Sequence, residues 1–111
     1  MDKIKKYSKI IQEDLEKRVA IPMYSGSKLK GRLVVNQDAT EFIWLNVGWE
    51  FPKFIHGVVV HIALEDNKVR FFANNTDIEF CDVFVEKGIP KSDMVVEFIQ
   101  PIERGLEYAQ S

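Results

Sequence analysis

The stretch from Thr40 to Ala73 limits what this chain can fold into more than any other part of the sequence. Its apolar residues follow the period of two that is typical of β-strands, and short interruptions divide it at Phe51-Pro52 and at Asp66-Asn67. Aspartate and asparagine tolerate the positive φ that a two-residue hairpin turn requires. We therefore predict three consecutive antiparallel strands joined by two tight turns.

The two turns predict a pairing register, and the register predicts two apolar faces. The pairs on one face would be Trp49 with Phe54, Val47 with His56, Leu45 with Val58, Ile43 with Val60, Val60 with Ala73, Ile62 with Phe71 and Leu64 with Val69. The other face would carry Phe42, Trp44, His61, Arg70 and Phe72 together. Because that second face is too apolar for a solvated sheet face, we expect a helix of this chain, a second subunit or a ligand to cover it.

Residues before this stretch predict a helix and one further strand. Apolar residues recur every three or four positions over residues 2 to about 19, which is typical of an amphipathic helix, and Asp2 is suited to be its N-cap. Residues 28–36 alternate as a strand. A three-residue loop over residues 37–39 would pair Leu33 with Ile43 and extend the first apolar face, whereas a four-residue loop would invert the strand.

Residues after this stretch predict a second helix and a short strand. The helix would span residues 78–87, with Asn75 or Thr76 as N-cap and Gly88 just beyond its end. Residues 94–99 form an apolar run that we interpret as a fifth strand. The predicted fold class is α+β: an antiparallel meander of four to five strands, with an N-terminal helix and a second helix after strand four.

Composition is that of one ordinary globular domain. The chain has 111 residues, 46% of them hydrophobic and 29% charged, so we predict a single domain over residues 1–111. The net charge of −2 argues against polyanion binding by the molecule as a whole. Cys81 has no second cysteine to pair with, and no apolar run suggests a signal peptide or a membrane span. We expect a cytoplasmic protein that does not contact a membrane.

The residues that most often carry chemistry predict no active site. His56 and His61 are five positions apart, so an unbulged strand would send them to opposite faces. Neither a zinc motif, a nucleophile elbow nor a paired carboxylate is present. The sequence therefore predicts no metal, no cofactor and no enzyme, and it leaves a small enzyme centred on His61 as an alternative.

The second predicted face suggests nucleic-acid binding as another alternative. Phe42, Trp44, His61 and Phe72 would form an aromatic platform, and Arg70 would stand at its edge with other basic residues. Aromatic side chains interleaved with cations on a sheet often hold single-stranded nucleic acid. The simpler interpretation is that one of the two helices covers this face, and a homo-oligomer would cover it equally well.

A family resemblance rests on motif residues distributed over nearly the whole chain. They begin with Asp2, Tyr7, Ile10 and Ile11 and end with Phe98, and the motif residues between them are Val47, Gly48, Trp49, Gly57, His61, Gly88, Pro90, Lys91 and Asp93. In this order and spacing the chain resembles the XisI-like proteins, excision controlling factors for the fdxN element.

The resemblance implies a small α+β protein, found largely in cyanobacteria, with a role in site-specific excision of a DNA element. There it would act beside a recombinase and a second accessory protein of the XisH type. The resemblance implies no catalytic residues that could be assigned to positions of this chain. We therefore expect a non-catalytic accessory factor that acts by protein–protein contact, with a XisH-like protein as its partner. The resemblance leaves a homodimer, and the question of direct DNA contact, open.

Overall fold

The computed structural model describes residues 2–21 and 28–98. Its elements are α1 (Asp2–Val19), β1 (Lys30–Val35), β2 (Glu41–Glu50), β3 (Lys53–Glu65), β4 (Lys68–Asn74), α2 (Phe80–Glu86), a 3-10 turn (Lys91–Asp93) and β5 (Met94–Val96). The strands form one sheet in the order β1-β2-β3-β4-β5, and each of the first four is antiparallel to its neighbour. The predicted α+β class is confirmed. β5 runs parallel to β4 because the connection through α2 brings the chain back to the same end of the sheet.

Both predicted hairpin turns are present, and the strand pairs next to them are those expected. Asp66 and Asn67 have φ values of 55° and 62°, which is the left-handed conformation that a tight hairpin uses. Phe51-Pro52, a cis peptide, closes the other turn between Glu50 and Lys53. Trp49 pairs with Phe54, and Leu64 with Val69, as the sequence predicts.

Away from the turns, two β-bulges overturn the predicted register. On β3, Val59 is an extra residue, so Ile43 pairs with His61 and the predicted pairing of Ile43 with Val60 is wrong. On β4, Phe72 is extra, and Val60 therefore pairs with Asn74 rather than with Ala73. Each inserted residue sends the following side chains to the opposite face of the sheet.

The register of β1 is also shifted by one residue from the prediction. Leu33 lies opposite Trp44, and Ile43 lies opposite Val34. The amide of Asn36 donates to the carbonyl of Glu41, which closes a loop of four residues rather than three. The side-chain oxygen of Asn36 accepts from the amides of Thr40 and Glu41, and this stabilises the longer turn.

The two helices pack on the same face of the sheet, which we call the inner face. Its buried residues are Phe42, Val60, Ile62, Leu64, Val69 and Phe71, and the helices cover them with Tyr7, Ile11, Leu15, Phe80 and Phe84. The ring of Phe84 stacks on Phe71 at a centroid distance of 6.1 Å. Since α1 and α2 share this side, no helix of residues 2–21 and 28–98 covers the opposite, outer face.

The helices are tied to each other by a buried carboxylate. Asp14 is 4% exposed, and its two oxygens accept from Arg18 at 2.7 Å and from Lys87 at 2.8 Å. Burying a charge is costly unless it is paired, and here two partially exposed cations satisfy it. The contact with Lys87 therefore fixes the end of α2 against α1.

The second helix differs from the prediction at its start and agrees with it at its end. It begins at Phe80, after Glu79, and neither Asn75 nor Thr76 is its N-cap. The hydroxyl of Thr76 accepts from the amide of Ile78 and forms a turn that precedes the helix. At the other end Gly88 has a φ of +109°, and the amide of Ile89 reaches the carbonyl of Phe84 in a Schellman arrangement.

Other terminal predictions fall partly outside the described residues. α1 begins at Asp2, but the side chain of Asp2, predicted as the N-cap, is outside the description. β5 ends at Val96, short of the predicted end at Ile99, which is itself outside the described residues.

Candidate interaction surface

The aromatic platform predicted from the sequence is divided between the two faces of the sheet. Phe42 is fully buried on the inner face, and Trp44 lies beside it against the helices. His61, Arg70 and Phe72 lie on the outer face. The prediction that all five residues share a face is wrong, because the bulge at Val59 separates Phe42 and Trp44 from the other three.

His61 has a carboxylate partner on the neighbouring strand. Its Nε2 lies 2.7 Å from an oxygen of Glu41, and its ring meets Phe72 edge-on at a centroid distance of 5.1 Å. The prediction that the two histidines face opposite sides is wrong: the bulge at Val59 brings His56 and His61 to the outer face together. Within residues 2–21 and 28–98, no group of three or more potential ligand side chains is placed to hold a metal ion.

Arg70 is held by carboxylates and is not a free cation. It donates to Glu97, lies 3.3 Å from Asp66 and is 3.8 Å from Glu65. The hydrogen bond to Glu97 is the main reason that the pKa of Arg70 is raised above its ordinary value. This arginine therefore stabilises the edge between β4 and the residues after β5, and a phosphate would have to displace its present partners.

Cys81 is a poor nucleophile in this environment. The thiol is half-buried on α2, and that burial raises its pKa, with a further contribution from the nearby Asp82 carboxylate. A thiol with a raised pKa stays protonated at neutral pH, whereas the thiolate is the reactive form.

The outer face instead carries a group of exposed apolar side chains, which we call the outer patch. Its residues are Val34, Trp49, Phe51, Phe54, Val58 and Phe72. Trp49 is 48% exposed, Phe54 53% and Phe51 82%. The rings of Phe51 and Phe54 lie 5.4 Å and 5.3 Å from that of Trp49, so the three aromatics form one cluster at the hairpin tip. A cluster of exposed apolar side chains of this kind more often marks a surface that binds another molecule than a surface that remains in contact with water.

Comparison with known proteins identifies the family. The family model described as XisI protein matches residues 1–110. This chain belongs to the XisI family. A crystal structure of a XisI-like protein from Anabaena variabilis has a TM-score of 0.81 and 23% identity, over 90% of this chain and 91% of that one. The fdxN element excision controlling factor XisI from the same organism gives 0.77 and 22%, over 92% and 98%. No curated protein matches the chain.

Several XisI motif residues have a structural role that the fold makes plain. Gly88 takes the positive φ that ends α2, and Pro90 precedes the 3-10 turn. Gly48 has a φ of +149°, and any side chain there would overlap the backbone at Lys28. By contrast, a methyl group added at Gly57 would meet nothing within 4 Å.

Other XisI motif residues reach the surface. Val47 and Trp49 share the outer face with His61, and Lys91 is exposed at the start of the 3-10 turn. The motif therefore contributes both to the scaffold and to the outer face.

Asp93 joins the first helix to the segment that follows the second. Its carboxylate accepts from the hydroxyl of Tyr7 at 2.5 Å and pairs with Lys3 at 3.0 Å. Burial and the hydrogen bond to Asp93 raise the pKa of Tyr7 to about 12. The same hydrogen bond, with the contact from Lys3, lowers the pKa of Asp93 below its ordinary value. This contact holds together two parts of the chain that are distant in sequence.

We expect Tyr7→Phe to lower stability at neutral pH and to reduce its dependence on pH at both extremes. Asp93 contributes stability above the pKa of an unfolded aspartate, about 4, and the contribution is lost as pH falls through its lower folded pKa. Tyr7 contributes fully below the pKa of an unfolded tyrosine, about 10. That contribution is lost as pH rises through about 12. Urea unfolding of both proteins at acid, neutral and alkaline pH measures the effect, and parallel stability curves would contradict it.

The sequence contained a signal for the outer patch that the prediction did not use. Val58, Val59 and Val60 are three β-branched residues in succession, and Phe71 and Phe72 are two adjacent aromatics. Strict alternation cannot bury one face and solvate the other across such runs, so each run is a place where a bulge is favoured. The predicted register places three of the six patch residues, Trp49, Phe54 and Val58, on the first apolar face.

Of the helices in the described part of the chain, none is long and apolar enough to cross a membrane.

Proposed function

We propose that this chain is a non-catalytic accessory factor that controls the excision of a DNA element. The observation that carries the proposal is the match of the XisI family over residues 1–110. A solved structure with the same fold is named as the fdxN element excision controlling factor XisI. A cytoplasmic location, where the DNA and its recombinase are found, suits this function.

The state of the reactive side chains supports a role without catalysis. His61 is paired with Glu41, and Arg70 with Glu97. Cys81 has a raised pKa, because of its burial. An enzyme needs a nucleophile or a base whose pKa suits its task and which reaches a substrate. These groups have instead the partners expected of structural residues.

We further propose that the factor acts by protein–protein contact, with a XisH-like protein as its partner. Aromatic residues such as those of the outer patch are enriched in the cores of protein interfaces. A direct nucleic-acid binder would need free cations beside stacking rings. Here Phe42 and Trp44 are on the inner face, and Arg70 is already neutralised, so protein contact is the better supported of the two.

Co-expression tests the proposal directly. The tagged chain is produced with a XisH-like protein and a recombinase, in cells that carry an excisable element with a reporter. We expect the XisH-like protein to co-purify with the chain, and excision to require the chain. Excision should persist in a His61→Ala variant that retains the fold. Failure of the two proteins to co-purify would contradict the partner, and loss of excision in the folded His61→Ala variant would favour an enzyme centred on that residue.

A further inference from the structure

We infer that the outer patch is the interface of a symmetric homodimer in which two copies of this sheet pack face to face. The patch extends along the outer face from the hairpin tip to the opposite end of the sheet, with His56, Arg32 and the His61–Glu41 pair among its members. Trp49 and Phe54 form its hairpin end, Val58 lies at its middle, and Val34 and Phe72 form its far end. Because both helices lie on the inner face, no helix of the described residues stands between the outer face and a second sheet packed at the usual spacing of about 10 Å.

The exposed apolar area lies at the upper end of the range found on monomers. Multiplying the exposed fraction of each of the six patch residues by an area of roughly 150–250 Å² for a large side chain gives a total exposed apolar area on the order of 600 Å². The largest apolar patch of a typical monomer is about 300–600 Å². A standard interface buries about 800 Å² on each partner. The partly exposed residues Ile43, Leu45 and Val47 lie between the patch members and add to this area.

Charge on the outer face favours a second copy as the occupant. Lys30, opposite Val47, stands on the outer face towards the hairpin end, and Arg32 stands level with Val58; both are exposed. At the far end, Glu41 lies on the same face, and three carboxylates surround Arg70. In a two-fold symmetric dimer the two sheets can pack with their ends reversed. The basic end of each copy then lies over the acidic end of the other, so the same favourable contact is made twice.

Other occupants fit these features less well. A nucleic acid would meet the acidic far end, where Glu41 and the carboxylates around Arg70 repel phosphates. A partner of a different kind would need a matching charge gradient of its own, whereas a second copy supplies that gradient by symmetry. The inference rests on the surface alone; with the outer patch buried between two copies, a XisH-like protein would bind the dimer through another surface.

The test is the molar mass of the purified full-length chain in solution, without any other protein. Sedimentation equilibrium over a range of concentrations should give twice the chain mass of 12.9 kDa. Val58→Lys places like charges beside the two-fold axis and should raise the dimer dissociation constant by about a hundredfold or more. Val85→Lys is the matched control, since Val85 on α2 is 43% exposed, against 40% for Val58. It should leave the dimer intact.

Trp49→Ala is the second variant, which keeps the test decisive if Val58→Lys does not fold. Removing this ring should raise the dissociation constant at least about tenfold, as the loss of an interface anchor does. A chain that stays monomeric at all concentrations overturns the inference, including the case in which residues 99–111 cover the patch. A dimer that both folded variants leave unchanged overturns it as well. Failure to bind a XisH-like protein leaves this result unaffected, so the two proposals fail separately.

Discussion

Phe84→Ala should destabilise the fold by about 3–5 kcal/mol, the usual cost of removing a fully buried phenylalanine ring. Phe84 is 0% exposed, and its ring lies 6.1 Å from Phe71 and 5.7 Å from Phe80. It therefore joins the second helix to the inner face of the sheet. The vacancy would be bounded by rigid aromatic neighbours that cannot collapse into it, so the loss should fall in the upper part of the range.

The control for Phe84→Ala is the next residue in the same helix. Val85 is exposed, so Val85→Ala should change the free energy of unfolding by no more than about 0.5 kcal/mol. Urea unfolding at one fixed protein concentration measures both variants, because a dimer makes stability depend on concentration. Similar losses for the two variants would show that α2 does not pack through Phe84.

Gly48→Ala should be the second most damaging change. Gly48 has a φ of +149°, where an L-residue is strained by about 1–3 kcal/mol. The new methyl group would also overlap the carbonyl oxygen of Lys28 and lie 3.0 Å from the Cα of Leu29. Because both neighbours are backbone atoms, the segment before β1 must shift, and overpacking of this kind costs a further 1–3 kcal/mol or so.

Gly57→Ala is the matched control for that strain. Gly57 lies across the hairpin from Asn46, in strand β3, and has open space where its side chain would be. Alanine is favoured over glycine within a strand by roughly 0.5–1 kcal/mol, so Gly57→Ala should be neutral or slightly stabilising. Thermal unfolding of the two variants beside the parent measures the contrast. Equal midpoints would mean that the close approach at Gly48 does not limit the fold.

Elements whose signals are local could be predicted from the sequence. The turn at Asp66-Asn67, the first helix and the glycine that ends the second helix depend on the conformational preferences of a few adjacent residues. The order of strands follows from those turns. This is why the α+β class and the pairs beside the turns agree with the structure.

The faces of the sheet could not be predicted in the same way. An extra residue at Val59 or Phe72 costs little locally, and it reverses every side chain beyond it. Whether it occurs depends on how the helices pack on Val60 and Phe71, which are distant in sequence from α1. The candidate site was predicted least well. The residues of a surface can be identified only when each one is assigned to the correct face of the sheet.

The bulge at Val59 has a consequence for how this protein can change over generations. It lets one continuous strand contribute Val60 and Ile62 to the interior and Val58 and Phe54 to the exterior. Substitutions at Val58 or Phe54 change the exposed surface, while those at Val60 or Ile62 change the interior. One strand can therefore vary its surface positions between the hairpin tip and the bulge while its interior positions beyond the bulge stay the same.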